Sequence, residues 1–439
     1  MKGFLFILSF FAFMTGRGQV KYEYLTDFRT GKPIPYAGAL SKEKVMIPGR
    51  YRPSNTEMRG IWVATVKNID FPANVNAAAF KKNFIQLVEN LRRANFNTVI
   101  FQVRPTSDAF YPSKLNPWSR FLTGTEGKGL GSFDPLRFMI DETHKRGMQF
   151  HAWLNPYRVT SETSLSKAAY LKTLSPQNFA RRRPELVLSI PSGRNQLLIL
   201  NPGEPEVVRF ITDTVEEIIG NYDVDAIHFD DYFYPYKEVG GADSTTFRRN
   251  NPGRLALDDW RRVNVDNAIK SVSDTIRAYN RRYHRNVEFG VSPFGIWANC
   301  KSHRKGSLTD GTQSYFAQFA DTRKWARRGW IDYIVPQIYW PFDHEKAAYA
   351  ALADWWVNVV QDTGTRLYIG HAAYKMGDSG TWRNYLEIPN QLRYNGRHPE
   401  IQGSCFFSYS SVFAPKNNTA RDGMRKIITE YWKYPAKCP

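Results

Sequence analysis

The chain is 439 residues long, more than one hydrophobic core usually supports, so we expect one large domain with insertions or two domains. Hydrophobic residues make up 42% of the sequence and charged residues 23%, a composition that excludes a wholly disordered chain. The formal net charge of +19 predicts affinity for polyanions or anionic surfaces. Since the sequence carries no recognised nucleic-acid-binding motif, we expect no nucleic-acid partner.

The first 18 residues have the pattern of a secretory signal peptide. Lys2 precedes an apolar run over residues 4–14, and small residues follow that run. The run is too short to span a membrane, and no later stretch reaches spanning length. We therefore expect an exported protein, periplasmic or extracellular, with no transmembrane segment in the mature chain. Residues 19–57 hold several prolines and are interpreted as an extended leader that wraps the remaining domain.

The sequence gives no pattern for a bound metal or cofactor, and we expect neither. Cys300, Cys405 and Cys438 match no zinc-binding spacing and are too few for a scaffold built on disulfides. An oxidising compartment would permit one bridge among them, with one thiol left over.

Short apolar runs alternate eight times with longer segments of helical periodicity. The clearest helix covers residues 204–220, where Val207 and Val215 belong to one apolar stripe that follows Pro205. Eight such alternations predict an α/β fold, a (β/α)8 TIM barrel over residues 58–439 with long loops at the carboxyl-terminal face of its strands. The predicted strands are residues 60–65, 98–103, 149–154, 225–229, 287–291, 333–337, 367–370 and 403–407. The predicted helices are residues 79–94, 134–146, 204–220, 256–283, 313–328, 345–361 and 420–431.

The connections that follow the strands are long, whereas those that follow the helices are short. The longest comes after the third strand and is interpreted as an insertion at about residues 156–203, with a hairpin formed by residues 186–190 and 196–200. In barrel enzymes the loops that follow the strands build the active site. The asymmetry therefore favours an enzyme over a purely structural barrel.

Side-chain alternation along the strands predicts which residues point into the barrel. In the fourth strand Ile227 and Phe229 are apolar and should face the helices, so that His228 and Asp230 point inward. Buried polar groups without partners cost about 1–3 kcal/mol each, so we expect the inward set to bond to itself, to water or to a ligand. The other inward residues expected near the mouth are Gln102, Arg104, His151, Trp153, Asn155, Ser292, Gln337 and Tyr339.

Asp230 and Asp231 are the predicted catalytic residues. Cleavage of a glycosidic bond usually needs one carboxylic acid to protonate the leaving oxygen and a second carboxylate as nucleophile or base. Two carboxyl groups in close proximity separate their pKa values, so that one can stay protonated near neutral pH. Since adjacent strand residues point opposite ways, Asp231 has a second interpretation as a loop-orienting or substrate-binding residue. The other acid would then be Asp108 or Asp343.

Two alternatives to a carboxylate-based glycosidase stay open. Asp230 and Asp231 are compatible with a metal site completed by His228 and His151, as in a metal-dependent hydrolase. A barrel that binds glycan without cleaving it would need the aromatic and arginine side chains but no complete acid–base pair.

Aromatic residues form 15% of the chain and cluster near the predicted strand ends. Tyrosine and tryptophan rings combine a flat apolar face with a polar group, which suits stacking against sugar rings. We therefore expect Tyr232, Trp297 and Trp340 to contact a polysaccharide substrate together with Trp153 and Tyr339. The basic surface would allow association with an anionic cell wall.

Six motifs, in this order, resemble the glycosyl hydrolase-like 10 family over residues 56–360. They are Met58-Arg-Gly-Ile-Trp-Val63, Phe101-Gln-Val-Arg-Pro-Thr-Ser-Asp-Ala109, Ala152-Trp-Leu-Asn-Pro-Tyr157, Asp225-Ala-Ile-His-Phe-Asp-Asp-Tyr-Phe-Tyr-Pro235, Val291-Ser-Pro-Phe-Gly-Ile-Trp297 and Asp332-Tyr-Ile-Val-Pro-Gln-Ile-Tyr-Trp340. The resemblance implies an exported barrel hydrolase of the cell envelope, and for some members cleavage of peptidoglycan glycan strands stripped of stem peptides. It also implies that Asp230 and Asp231 are the acidic pair of the fourth-strand motif. The cleft residues that it implies are Arg104, Asn155, Gln337 and Tyr339.

A weaker likeness is to family-18 chitinases, whose fourth strand carries several aspartates and ends in a catalytic glutamate. Tyr232 stands at the position of that glutamate, and His228 replaces one aspartate. The departure argues against the substrate-assisted chitinase mechanism and in favour of a direct mechanism with two carboxylates. The sequence therefore predicts an exported glycoside hydrolase that cleaves peptidoglycan strands or a related amino-sugar or acidic polysaccharide.

Overall fold

Eight parallel strands close into a barrel in the computed structural model, which describes residues 20–439. The strands are β1 (Met58–Val63), β2 (Thr98–Arg104), β3 (Gln149–Leu154), β4 (Ala226–Phe229), β5 (Glu288–Val291), β6 (Tyr333–Ile334), β7 (Arg366–His371) and β8 (Ile401–Phe406). Each pairs with its neighbours in chain order, and β8 pairs with β1. The predicted (β/α)8 barrel is confirmed. The predicted signal peptide, residues 1–18, lies outside the described residues.

Helices form the outer layer of the barrel. The helix Pro205–Asn221 shows why: Val207, Ile211, Val215 and Ile218 are buried along one face, as the apolar stripe predicts. The other helices of at least eight residues are Ala77–Arg93, Pro135–His144, Leu257–Tyr283, Tyr349–Val360, Glu387–Asn395 and Asn418–Lys426. Shorter ones are Arg120–Thr123, Lys167–Thr173, Phe179–Arg182, Ser244–Arg249, Ser314–Ala317, Thr322–Arg327 and Tyr409–Phe413. No helix in the described part of the chain has the length and apolarity needed to cross a membrane.

Three helical segments differ from the sequence prediction. Residues 313–328 form two short helices, because Phe319 adopts a left-handed backbone conformation with φ of 52° and Asp321 caps the second helix through the Lys324 N–H. The helix predicted from residue 345 begins at Tyr349. The helix Glu387–Asn395, between β7 and β8, has most of its residues buried and was not predicted.

The barrel separates two layers of buried side chains, as the alternation in the strands predicts. Ile227 and Phe229 belong to the core between strands and helices. Trp62, Trp153 and Tyr333 belong to a second cluster inside the barrel. The predicted inward and outward faces of β4 are therefore confirmed.

The leader and the insertion each form a small sheet outside the barrel. In the leader, strands Tyr22–Tyr24 and Met46–Pro48 pair antiparallel, and Ile34, Val45 and Ile47 are buried in the main core. The insertion contains Arg158–Thr163, Val187–Ser192 and Asn195–Leu200, with Asn195–Leu200 in the middle. Its last two strands are the predicted hairpin. The three cysteines are unpaired.

Candidate functional site

A cavity of about 390 Å³ opens at the carboxyl ends of the barrel strands. Loops after β4, β5, β6, β7 and β8 contribute its walls, which is where barrel enzymes place their chemistry. Its lining includes Trp62, Gln102, Trp153, Arg158, Asp230, Asp231, Tyr232, Tyr236, Ser292, Phe294, Gln337, Tyr339, Trp340, Tyr374, Lys375 and Phe407. Eight of the predicted site residues lie in this lining: Trp153, Asp230, Asp231, Tyr232, Ser292, Gln337, Tyr339 and Trp340.

Asp230 is buried at the cavity wall and held by several donors. The side-chain amide of Asn155 donates to Oδ2 of Asp230, and the backbone N–H of Tyr232 donates to Oδ1 over 3.3 Å. Asn155 is held in turn, because its Oδ1 accepts from Nε2 of Gln102 at 2.6 Å and from Nη1 of Arg158 at 2.7 Å. Asn155 therefore lies behind the carboxyl group instead of lining the cavity, and it fixes the orientation of Asp230.

Asp231 also lines the cavity, although alternation along a strand would turn it away from Asp230. The strand β4 ends at Phe229, so both carboxyl residues belong to the following loop and can face the same space. Burial and then the charge of Asp230 raise the pKa of Asp231 to about 8. Burial also raises the pKa of Asp230, but the Arg158 charge and the Asn155 and Tyr232 donors oppose that rise. Asp231 is therefore the member of the pair that holds a proton near neutral pH.

His228 lies below the cavity in a chain of buried hydrogen bonds. Its Nε2 accepts from the indole N–H of Trp62 at 3.2 Å and lies 2.9 Å from the hydroxyl of Ser292. Its Nδ1 lies 2.9 Å from the hydroxyl of Tyr333, which is 2.8 Å from Nδ1 of His151. Burial lowers the pKa of His228 well below its ordinary value and that of His151 to about 4. His228 supports two residues of the lining, Trp62 and Ser292, and does not itself face the cavity.

The donor set of the metal-site alternative does not converge. Both nitrogens of His228 are engaged with Trp62, Ser292 and Tyr333, and Asp230 is engaged with Asn155. Within residues 20–439 no group of three or more histidine, cysteine, aspartate or glutamate side chains is arranged to hold a metal ion.

The prediction that Arg104 points into the cleft is wrong. A register shift between β2 and β3 places Arg104 opposite Leu154, whose side chain faces the helices. The guanidinium packs 5.3 Å from the ring centre of Phe210 and donates to Oδ1 of Asn116 at 3.2 Å and to the carbonyl of Asn155 at 2.6 Å. Arg104 thus joins β2 to the outer layer.

Asp108, Asp343 and Trp297 are also outside the cavity lining. Asp108 is fully buried and accepts the backbone N–H of Thr106 at 3.1 Å. Asp343 accepts from the leader residue Arg29 at 2.8 Å. These hydrogen bonds give both aspartates a structural role, so neither of them supplies the second catalytic carboxyl group beside Asp230.

Trp297 is buried in the core behind β5. Its indole N–H donates to Asp321 at 3.1 Å, and its ring stacks on Trp355 with centres 5.8 Å apart. The aromatic residue that faces the cavity from this side is Phe294, which meets Trp340 edge-on at 5.3 Å. The motif around Trp297 thus reaches the site through a different ring from the one predicted.

Several lining residues that were not predicted as site residues lie outside the regular strands of the barrel. Arg158 begins the insertion sheet and packs over the ring of Tyr232 at 4.2 Å. Tyr374 and Lys375 lie in a short 3-10 helix, Ala373–Lys375, after β7. Positions in long loops have no periodicity that reveals them.

The buried indole N–H of Trp153 makes no hydrogen bond of ordinary geometry. Trp153 lines the cavity beside Asp230, and its side chain helps to lower the pKa of that carboxyl group.

Comparison with known families decides what kind of barrel this is. A family model described as glycosyl hydrolase-like 10 matches residues 57–385, most of the chain and all the loops of the cavity up to Lys375. The chain belongs to the glycosyl hydrolase-like 10 family. The resemblance inferred from the six motifs is confirmed.

Two curated relatives are similar in sequence to this glycosyl hydrolase-like 10 protein over most of their length. Glycosyl hydrolase YngK of Bacillus subtilis (strain 168) is 41% identical over 395 residues, which cover 88% of this chain and 74% of the relative. Glycosyl hydrolase DigH of Escherichia coli (strain K12) is 40% identical over 396 residues, which cover 85% of this chain and 88% of the relative. Both names support a glycosidase-type barrel.

Solved structures with the same fold include a GH20 exo-β-N-acetylglucosaminidase from Vibrio harveyi in complex with N-acetylglucosamine. It superposes with a TM-score of 0.51 at 11% sequence identity, over 88% of this chain and 55% of that chain. At this identity the likeness concerns the fold, and it agrees with the closed barrel of this glycosyl hydrolase-like 10 protein.

Proposed function

We propose that this protein is an exported glycoside hydrolase that cleaves peptidoglycan glycan strands or a related amino-sugar or acidic polysaccharide, using Asp230 and Asp231. The observation that carries the proposal is the pairing of two buried carboxyl groups in unlike surroundings at one cavity wall. Family membership supports glycoside hydrolysis. The substrate rests on the six-motif resemblance and the positive charge, and export rests on the signal-peptide pattern.

Asp231 is assigned as the general acid. Its raised pKa keeps the proton on the carboxyl group at neutral pH, as an acid that protonates a leaving oxygen requires. Asp230 is assigned as the ionised partner, because Asn155, Tyr232 and Arg158 all favour its charged form. Strand alternation alone favoured Asp230 as the catalytic residue and a supporting role for Asp231, whereas this assignment gives both residues a direct catalytic role.

The reaction follows from these charges. Asp231 gives its proton to the glycosidic oxygen as the bond to the anomeric carbon breaks. The carboxylate of Asp230 stabilises the positive charge that develops on the sugar, as nucleophile or as base for the attacking water. Where Asp230 is the nucleophile, water breaks the ester that Asp230 has formed with the anomeric carbon. In both cases the proton that the water loses returns to the carboxylate pair.

The aromatic walls suit a sugar polymer. Tyr232 and Tyr236 lie at the cavity with roughly 37% and 38% of their surfaces exposed, and their rings meet edge-on at 5.6 Å. Trp340 is braced by Phe294. Braced aromatic faces bind sugar rings by stacking at a low entropic cost.

Hydrolysis of defined glycans tests the proposal. Wild-type protein is incubated with peptidoglycan strands freed of stem peptides, with chitin oligosaccharides and with uronic-acid polymers, and the products are followed by mass spectrometry. We expect cleavage of at least one glycan and its loss in Asp230→Asn and Asp231→Asn. Asp223→Asn is the matched control, because Asp223 is exposed and pairs with Arg285 far from the lining.

The glycan-binding alternative gives a different pattern in the same experiment. A barrel that only binds would retain affinity for one glycan and release no product from any of them. Full activity in a correctly folded Asp230→Asn variant would exclude the assignment of this residue.

A further inference from the structure

Lys375 brings a positive charge into the cavity wall. It ends the 3-10 helix Ala373–Lys375 that follows β7, and its side chain is half-buried. The ammonium donates to the backbone carbonyl of Tyr339 at 2.8 Å, which fixes it beside another lining residue. Burial lowers the pKa of Lys375, and the negative charge of Asp378 partly offsets that shift.

Nothing in the described part of the chain neutralises this ammonium at close range. Among residues 20–439, no carboxylate forms an ion pair with Lys375. Asp378, whose charge is felt at Lys375, forms its own ion pair with Lys416. Other neighbours of Lys375 are the rings of Tyr374 and Trp382, with centres 5.8 and 5.9 Å away.

Arg158, the other cation of the lining, is in a different position. It is buried, donates to Asn155 and lies close enough to Asp230 to lower the pKa of that carboxyl group. With Asp231 protonated, the single negative charge of the pair is offset by Arg158. The charge of Lys375 is therefore left over in the cavity.

A partly buried cation that lacks a counter-ion is costly, and an anionic ligand removes that cost. An ammonium has three donors, of which Tyr339 takes one, so two are left for a ligand. Tyr339 also lies within electrostatic range of Asp231, and Lys375 lines the same cavity as that proposed acid.

We infer that Lys375 binds a carboxylate carried by the sugar next to the scissile bond, and so selects acidic glycans over neutral ones; this inference rests on the proposed function. The shared chemistry is a carboxylate on a sugar ring, either a uronic acid or an acid attached through an ether to an amino sugar. A neutral substituent at the same position would leave the ammonium unpaired.

Matched substrates test the inference. Peptidoglycan strands freed of stem peptides are compared with the same strands after their carboxylates have been converted to methylamides, and uronic-acid oligomers form a second arm. We expect wild-type kcat/KM to be roughly 10- to 100-fold higher for the free carboxylates, the range of a charge-assisted hydrogen bond. The arm that shows the preference identifies the source of the carboxylate.

Variants separate Lys375 from general charge effects. We expect Lys375→Met to bring the acid-to-amide ratio close to one and Lys375→Arg to restore part of it. Lys270→Met removes the same charge from an exposed ion pair with Asp274 and should leave the ratio unchanged. A wild-type ratio near one, or a ratio that Lys375→Met retains, overturns the inference while leaving the proposed hydrolase intact.

Binding gives a readout that does not depend on turnover. Calorimetric affinities of the Asp231→Asn variant for the acidic and amidated strands are measured with and without Lys375→Met. An affinity preference that disappears with Lys375→Met supports the inference, and one that persists overturns it. Absence of cleavage by wild-type protein on every glycan counts against the proposed function alone.

Discussion

The indole N–H of Trp62 donates to Nε2 of His228 across 3.2 Å, and this bond determines which nitrogen of the histidine carries the proton. An indole N–H can only donate, so Nε2 must accept and the proton must be on Nδ1. The hydroxyl of Tyr333 accepts from that Nδ1 and can donate to Nδ1 of His151. One tryptophan therefore determines the donor-to-acceptor direction of this whole series of buried hydrogen bonds.

We predict that His228 is neutral with its proton on Nδ1 and does not titrate between about pH 5 and 8, because burial lowers its pKa well below the ordinary value. Nitrogen-15 NMR of labelled histidine checks both points. A resonance of His228 that shifts with a midpoint in this range would contradict the prediction.

The same chain predicts the cost of removing the ring. His228→Ala leaves the buried Trp62 N–H without its acceptor, and an unsatisfied buried donor costs about 1–3 kcal/mol, whereas the Tyr333 hydroxyl keeps its bond to His151. We expect the free energy of unfolding to fall by at least that amount in denaturant titrations. His228→Gln, which keeps an acceptor, should recover part of the loss, and equal stability of both variants with wild type would refute the argument.

The raised pKa of Asp231 predicts how activity depends on pH. An acid with a pKa of about 8 loses its proton as pH rises through that value, so we expect kcat/KM to fall along a basic limb centred near it. The measurement is kcat/KM across a pH series on the preferred glycan. A rate that stays constant well above that midpoint would exclude Asp231 as the proton donor.

Stability should carry the same signature. Since the folded-state pKa of Asp231 exceeds the ordinary aspartate pKa of about 3.9, the native state binds the proton more tightly than the unfolded chain. The contribution is therefore present at low pH and declines from about pH 4 to about pH 8, above which it is constant. Asp231→Asn should lose this slope in denaturant unfolding, whereas Asp223→Asn should keep it.

Two tryptophans predicted from sequence as substrate contacts should behave differently. Trp340 lines the cavity, so Trp340→Ala should lower kcat/KM by roughly tenfold through loss of stacking. Trp297 lies in the core, so Trp297→Phe should cost about 1 kcal/mol of stability through the lost bond to Asp321 and leave kcat/KM unchanged. Steady-state kinetics and thermal unfolding of both variants test these expectations. A lower kcat/KM in Trp297→Phe would contradict the buried structural role and support the sequence prediction that Trp297 contacts substrate.

Strand alternation predicts the barrel and its inner face because these depend on local periodicity. It fails at two places for physical reasons. Arg104 follows an irregularity in the pairing of β2 with β3, and a shift of one residue turns a side chain to the other face of the sheet. Asp231 lies past the end of β4, where alternation no longer applies.

The loops set the limit of sequence prediction at the site. Lys375 reaches the cavity from a short helix after β7, and Arg158 reaches it from the insertion. The positions of both side chains depend on the way in which the long loops fold back over the barrel mouth, and neither composition nor periodicity encodes that. The carboxyl pair is predictable, whereas the charges that tune it and select its ligand are not.

Asp230 and Asp231 are neighbours in the chain, so covalent geometry keeps their Cα atoms about 3.8 Å apart. A movement of the surrounding loops would carry both carboxyl groups together and leave their mutual electrostatic influence intact. The walls contributed by the insertion and by the loop after β7 are not tethered in this way. Descendants of this barrel could therefore acquire new ligand preferences by altering those walls while the proton-handling dipeptide is inherited unchanged.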